Sequence, residues 1–358
     1  MTEGTLTRQD KRSIHYVKEK GLHTMKTVRG AVIGYGGAFN MGKIHANQMK
    51  DSGIAFVAAC DLDKARAEQA AVDFPGIRTY TKVEDLLSQE DIDLVTIITP
   101  HNTHAQLAKQ VLESGKNCIL EKPMCIRADD AFELTRLANE RSLMLSVFHN
   151  RRWDAWYLTL MDLIKRDLLG EIFHVEIFTG GYQHPGHWWR SDKAISGGTF
   201  YDWGAHLIDY LLGFIPGKIK SVRGFVHNKI WHEITNEDQI DSVIEFESGA
   251  VAYISTSNIA RAGKAPIRIL GTKGAVVDAD LWDDHLTLYT EVGGLPVETK
   301  IMNLKENWSA YYRNVADHLM NDAELVVKPE QAARNIAVIE ATEKSAAIGA
   351  AVPVAYEN

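Results

Sequence analysis

The chain has 358 residues, 45% hydrophobic and 24% charged, a balance that supplies a sizeable core and favours two domains over one. Its formal net charge of −8 argues against nucleic acid or an anionic membrane as a partner. No window approaches 18 uncharged apolar residues, so no membrane-spanning helix is expected.

Residues 1–24 are polar and charged, lack the apolar core of a signal peptide, and read as a tail or arm before a second natural-looking start at Met25. From Val28 the pattern is regular. "VRGAVIG" is a short apolar strand ending in glycines, "MGKIHANQMKDS" a helix, and "IAFVAACD" a strand ending in acid. The helix "KARAEQAAVDF", the strand "IRTYT", the helix "KVEDLLSQ" and the strand "DLVTIITP" follow. Then come "HAQLAKQVLESGK" (helix), "NCILEKP" (strand), "ADDAFELTRLANERS" (helix) and "LMLSVFH" (strand). Apolar strands alternating with helices predict a parallel sheet covered on both faces, a Rossmann-type domain over residues 25–150.

The texture changes after residue 150. A helix over 153–170 closed by Gly170 precedes strand-like runs joined by short turns, with "FESGAVAY" reading as a hairpin through Ser248-Gly249. Two helices, "WSAYYRNVADHLMN" and "PEQAARNIAVIEATEKSAAIG", close the chain. The expected class is therefore α/β: an N-terminal Rossmann dinucleotide-binding domain plus a C-terminal α+β domain. The latter spans 151–358, with a large, mostly antiparallel open sheet and final helices packing back towards the first domain. Three cysteines (Cys60, Cys118, Cys125), two in or beside apolar runs, suit reduced thiols of a cytoplasmic protein.

Gly34-Tyr35-Gly36-Gly37-Ala38-Phe39-Asn40-Met41-Gly42 joins the first strand to the first helix. Glycine is needed where a Cβ would block a tight turn and the approach of backbone N–H groups to a pyrophosphate, and the helix N-terminus adds a favourable dipole. The spacing departs from G-x-G-x-x-G: its third glycine would fall at Phe39, and Gly42 takes that role only after an insertion of three residues. Asn40 suits the N-cap of the helix. Asp61 ends the second strand 19 residues after Gly42, near the spacing expected for an acid on the adenosine ribose. With Asp63 it would repel a 2′-phosphate, favouring NAD over NADP, a preference that Lys64 and Arg66 temper. Capping the helix at "KARAEQAA" is the alternative use of Asp61, compatible with the first.

"LEKP" (120–123) sets Glu121 and Lys122 where a parallel strand reaches the carboxyl edge of the sheet, with Pro123 fixing the backbone. A lysine in a water-poor cleft can exchange a proton with a substrate hydroxyl. A solvated ion pair is the bland reading. In "SGGTFYDWGAHLIDYLLG" (196–213), Asp202 and His206 stand four apart, on one face if helical, while Leu207, Ile208, Leu211 and Leu212 bury the other side. A capped helix start with a core histidine would also fit. Together Lys122, Asp202 and His206 suit hydride transfer, which needs a group to take the hydroxyl proton and a positive charge to steady the alkoxide.

These stretches resemble the glucose–fructose oxidoreductase / inositol dehydrogenase (Gfo/Idh/MocA) family. The resemblance rests on "GYGGAFNMGKIHA", "CDLD", "TPHNTHAQLAKQVLESGKNCILEKP", "FHNRRW", "SGGTFYDWGAHLIDYL" and the closing "PEQAARNIAVIEATEKSAAIGAAVPV", nearly everything from Met25 onward. It implies Lys122, Asp202 and His206 as the catalytic set. It also implies cofactor contacts from the glycine turn (Gly34, Gly36, Gly37, Phe39, Asn40, Met41), Asp61, Thr99, Pro100, Asn102, His104, Glu121 and Lys122.

Substrate contacts are expected from the loop "GYQHPGHWWRSDKAISGG" through Tyr182, His184, His187, Trp188, Trp189 and Arg190, whose rings can stack on pyranose faces. Plugging its own domain is the alternative use of those rings. Asn150, Arg151 and Arg152 are expected in the same cleft beside Asp202 and His206, and the arginines leave open an acidic or sulfonated sugar. No catalytic metal is expected, since the lysine-based set needs none and "WHEITN" lacks a second zinc-binding histidine. The leading function is an NAD-dependent dehydrogenase or ketoreductase of a sugar, cyclitol or glycoside. The alternatives are a glycosidase that oxidises, eliminates and re-reduces with NAD recycled, and a non-catalytic sugar or nucleotide sensor. The open sheet suggests a homodimer or homotetramer.

Overall fold

A computed structural model describes residues 27–37, 39–278 and 283–357; the arm expected over 1–24 lies outside them. The first half builds a six-stranded sheet from β1 (Arg29–Ile33), β2 (Ala55–Cys60), β3 (Arg78–Tyr80), β4 (Leu94–Ile97), β5 (Asn117–Leu120) and β6 (Leu145–Val147). Its crossovers are α1 (Met41–Asp51), α2 (Lys64–Asp73), α3 (Val83–Leu87), α4 (His104–Glu113) and α5 (Ala128–Glu140). All strands pair in parallel in the order β3-β2-β1-β4-β5-β6. The four residues of β4 are buried throughout, as a strand covered by helices on both faces must be. The strand order reverses between β1 and β4, and a crevice opens there at the carboxyl ends. The loops after β1, β2, β4 and β5, which carry the glycine turn, Asp61, Thr99-Pro100 and Glu121-Lys122, therefore share one edge.

The second half starts with α6 (Ala155–Lys165), shorter than the expected 153–170 helix. Asn150–Trp153 form a 3₁₀ turn and Asp154 is extended (φ −63°, ψ 143°), so the α-helix begins only at Ala155. β7 (Ile172–Gly180) precedes α7 (Lys193–Ser196) and α8 (Ala205–Phe214). The strands β8 (Ile219–His227), β9 (Gln239–Phe246), β10 (Val251–Ser257), β11 (Ile267–Gly271), β12 (Gly274–Asp278), β13 (His285–Val292) and β14 (Leu295–Met302) follow, then α9 (Ala310–Asn321) and α10 (Pro329–Ile348).

The eight-stranded sheet runs β14-β13-β12-β11-β7-β10-β9-β8. Its described neighbours are antiparallel except β7 and β10, which are parallel. β9 alternates half-buried and buried residues along its length, the signature of a sheet with one packed face. α8, apolar nearly all round, lies buried against this packed side. The opposite face exposes Phe225 and Tyr253. Among the described residues no helix is long and apolar enough to cross a membrane.

The last two helices tie the halves together. Tyr311 and Tyr312 of α9 are buried in one cluster with Val32, Met49, Ile119 and Phe148 of the parallel-sheet half. Ala332, Ile336 and Ile339 of α10 join the core that contains Ala131, Leu134 and Ile244. Cys60, Cys118 and Cys125 are free and buried.

Candidate active site

The carboxyl edge of the parallel sheet and the second half enclose a cleft of about 1120 Å³. At its nucleotide end the turn after β1 requires glycine twice over. Gly34 has φ +90°, and a Cβ on it would lie 2.3 Å from the Ile98 carbonyl oxygen. A Cβ on Gly42 would meet the Tyr35 backbone at 2.7 Å, so Gly42 provides the close strand–helix packing despite the insertion before it. Gly34, Gly36, Gly37, Phe39 and Met41 line the cleft. Asn40 does not: it sits at the start of α1 in the left-handed region (φ 52°), and no side-chain cap forms. The helix start is held instead by its carbonyl, which accepts from Lys43 and Ile44.

Asp61 lines the cleft and braces the turn: its Oδ2 accepts the N–H groups of Tyr35 (2.8 Å) and Gly36 (3.3 Å), and its Oδ1 accepts that of Asp63 (2.9 Å). The cap of α2 is Asp63, whose Oδ1 accepts from Ala65, so capping does not consume Asp61. Arg66 and Lys82 stand at the same end. A glycine cradle, a braced strand-end carboxylate and an open crevice at the switch point fit a dinucleotide.

At the other end Lys122 Nζ donates to Asp202 Oδ1 (2.6 Å) and to the Asp202 carbonyl oxygen (3.0 Å). Asp202 lies in a π-helical turn, Phe200–Gly204, that runs directly into α8, so the expected single helical face is reached through a widened turn. Arg190 Nη1 bonds the same Oδ1 at 2.5 Å. Burial alone would push the Asp202 carboxyl up, but Lys122 and Arg190 together hold it well below the usual carboxylate range. His206 is buried one turn on; burial first, then Lys122, Arg151, His149 and Arg190, push it far down, so it works as a neutral imidazole. All three members of the set line one cleft.

Asn150, Arg151, Trp188, Trp189 and Arg190 line this end of the cleft, with Trp203 and Trp308. The Arg190 guanidinium lies over Trp189 (4.9 Å), Phe39 (5.3 Å) and Trp188 (5.4 Å), joining the glycine turn to the aromatic loop. Arg151 stacks on Trp203 (4.9 Å) and pairs with Asp154 (3.2 Å). Trp308, a hundred residues downstream, arrives because its Nε1 donates to Asp154 Oδ1 (2.6 Å).

Several expected contacts fall elsewhere. Arg152 grips Asp209 with two bonds of 2.7 and 2.6 Å and reaches the Val326 carbonyl, because the 3₁₀ turn sends it away from its neighbour Arg151. His104 is buried as a strut between the carbonyls of Thr99 (2.9 Å) and Pro123 (2.8 Å), while Asn102 is exposed and outside the cleft wall; Thr99 and Pro100 do line it. His184 and His187 also lie off the wall. With Glu233 they form a group that could hold a metal ion, but the Gly186 N–H donates to His184 Nδ1 (2.9 Å), which puts the ring proton on Nε2, 2.7 Å from Glu233. That geometry is a hydrogen-bonded latch between two loops. Tyr182 stacks under Arg261, also outside the cleft. His101 lines the cleft unforeseen, its Nδ1 2.8 Å from the Ser196 carbonyl.

A dinucleotide cleft bounded by a lysine, a carboxylate and a neutral histidine defines a two-domain nicotinamide-dependent oxidoreductase. The model of the oxidoreductase family with an NAD-binding Rossmann fold matches residues 28–149, and that of the GFO/IDH/MocA C-terminal domain matches 157–277. An inositol 2-dehydrogenase of Rhizobium meliloti is 30% identical over 256 residues, 70% of this chain and 75% of the relative. A scyllo-inositol 2-dehydrogenase (NADP(+)) of Bacillus subtilis is 25% identical over 351 residues, 91% of this chain and 96% of the relative. The crystal structure of an NAD-binding protein from Listeria innocua is 27% identical, covers 92% of this chain and 97% of its own, and superposes with a TM-score of 0.81. The chain belongs to the Gfo/Idh/MocA family of oxidoreductases, and its first half is that family's NAD-binding Rossmann domain.

Proposed function

We propose that the protein is an NAD-dependent dehydrogenase or reductase acting on a secondary alcohol or ketone carbon of a cyclitol or sugar. The observation that carries this reading is Lys122 Nζ, held at 2.6 Å from Asp202 in the cleft shared with the glycine turn and with neutral His206. Gly34, Gly36, Gly37 and Asp61 would hold the dinucleotide, which supplies the hydride acceptor or donor. Lys122 hands a proton to the ketone oxygen during reduction and takes it back during oxidation. Arg190 and Lys122 supply positive charge for the alkoxide, Asp202 orients both, and His206 offers a neutral hydrogen bond to a hydroxyl. Trp188, Trp189, Trp203 and Trp308 suit the apolar faces of a ring.

Each arginine of the expected anion site has a carboxylate already: Arg190 with Asp202, Arg151 with Asp154 and Arg152 with Asp209. That internal pairing favours a neutral polyol over an acidic or sulfonated sugar, in keeping with the inositol dehydrogenases among the relatives. The test is a panel of inositols, free sugars, uronic acids and glycosides scored for both NADH formation and glycoside cleavage. NADH formation from a neutral cyclitol or sugar is expected; cleavage without net NADH would replace this reading with the redox-neutral glycosidase.

Cofactor preference rests on Asp61. Because its carboxylate both braces the glycine turn and faces the nucleotide end, Asp61→Ala should weaken both NAD and NADP, NAD the more strongly, in fluorescence titrations. Equal loss of the two would leave Asp61 only its bracing role. We assign self-association to the open sheet face carrying Phe225 and Tyr253.

A further inference from the structure

Lys122 is fixed from behind as well as in front. Its backbone N–H donates to Glu121 Oε2 at 3.0 Å, while Oε1 of the same carboxylate lies 3.0 Å from His45 Nε2. His45 Nδ1 is 2.8 Å from the Tyr312 hydroxyl, which is 3.0 Å from that of Thr96. Glu121 follows the last residue of β5, and the series that runs on from it through His45, Tyr312 and Thr96 draws on α1, α9 and β4; those three residues are 0% exposed. The Phe148 ring covers His45 at 4.4 Å.

A carboxylate only accepts, so His45 Nε2 carries the proton. Each hydroxyl then has a partner, and no link can swing away without leaving a buried polar group unpaired, which costs about 1–3 kcal/mol. The chain ends at Thr96 in the middle of β4, away from solvent. It therefore leads no proton out of the cleft and serves as an anchor.

We propose that His45 and Tyr312 are positioning residues, holding the Glu121 carboxylate against the Lys122 backbone and so aiming the lysine at Asp202 and the substrate oxygen. The inference rests on the reading of Lys122 as the proton-handling group. Burial would push the Glu121 carboxyl up, but the hydrogen bond from His45, with Lys122, holds it below its ordinary value. The other ionisable groups that feel Glu121 are His104, His149, Tyr311 and Tyr312. Burial holds both histidines below, and both phenols above, their ordinary values, and the hydrogen bonds described to the Glu121 carboxylate come from His45 and the Lys122 backbone.

Difference infrared spectra of the full chain with NAD, taken between about pH 8 and about pH 5, read Glu121 directly. The wild type should show no carboxylic-acid band from Glu121. His45→Leu should show one, which a further Glu121→Gln change removes, and His45→Gln, whose amide keeps an N–H near the Nε2 position, should not. On a substrate from the panel, His45→Leu and Tyr312→Phe should lower kcat by up to about 100-fold with KM and NAD affinity little changed, as expected for a catalytic group displaced by a fraction of an ångström. His45→Gln should recover most of the loss. No band in His45→Leu, or an unchanged kcat in Tyr312→Phe, overturns the inference; Tyr312→Phe removes one hydroxyl and carries the test alone if His45→Leu does not fold. Failure of the underlying reading is distinct, since it would appear as normal turnover in Lys122→Ala.

Discussion

Lys122→Ala is expected to lose turnover by on the order of 10²- to 10⁴-fold, the range of a positioned acid–base group, while still binding NAD. In the proposed arrangement the nucleotide would be held by the glycine turn and Asp61, which is hydrogen-bonded to Tyr35 and Gly36 at the other end of the cleft from the Lys122–Asp202 pair. The variant should fold, because Asp202 keeps Arg190 and the buried carboxylate is not left unpaired. Lys122→Arg separates two roles that alanine removes together. A guanidinium preserves positive charge beside Asp202 but does not give up a proton near neutrality. If Lys122 moves the proton, the arginine variant remains as poor as the alanine variant within about tenfold; full recovery with arginine would reduce Lys122 to an electrostatic support. Kinetics on a panel substrate with NAD titrations in parallel decide this, and normal turnover in Lys122→Ala would sink the catalytic assignment outright.

The legible part of this molecule is the part encoded locally. Four-residue apolar strands such as "LVTI" ended by Thr99-Pro100, and glycines at positions where a Cβ would strike Ile98 or Tyr35, state their roles within a few residues. Lys122, Asp202 and His206 stood out for the same reason: polar groups placed where a strand or an apolar helix offers no packing excuse. What sequence reasoning missed is made by long-range folding. Trp308 reaches the cleft through Asp154, and Tyr312 meets His45 across 267 positions. The adjacent Arg151 and Arg152 have identical chemistry, yet a 3₁₀ turn sends one to the cleft and the other to buried Asp209. No periodicity distinguishes them. Asn40 shows the reverse: a good cap by residue type, it spends its backbone in a left-handed turn and forms no cap.

The concentration of histidine around the cleft leads to the second large effect, a loss of stability in mild acid. Burial holds His101 down at about 3 and His149 at about 4, and holds His206 well below its ordinary value. Each is therefore neutral when folded, whereas an unfolded chain protonates histidine below about 6.5. In this window the unfolded state binds more protons, so stability rises with pH. The contribution is complete above about 6.5 and is lost progressively as pH falls from there towards about 4. Three such groups at about 1.4 kcal/mol per pH unit each amount to roughly 3–4 kcal/mol between pH 6 and pH 5, a large share of a typical total of about 5–15 kcal/mol. His104 is also lowered by burial, but the two carbonyls it spans favour its cation, so it adds less. The carboxylates held low, Asp209 at about 2 and Asp202, act in a separate window below about 4, where their ion pairs are lost as they protonate. Urea unfolding at saturating NAD should show a midpoint that falls steeply from pH 7 to pH 5, and His149→Asn should flatten that slope by about a third. A midpoint unchanged over that interval would mean that these rings take up protons in the folded protein as readily as in the unfolded chain, and near pH 5 the end of the cleft around Lys122, Arg151 and Arg190 would then carry further cations. The same titration thus tests the electrostatics on which the alkoxide-stabilising role of Lys122 depends.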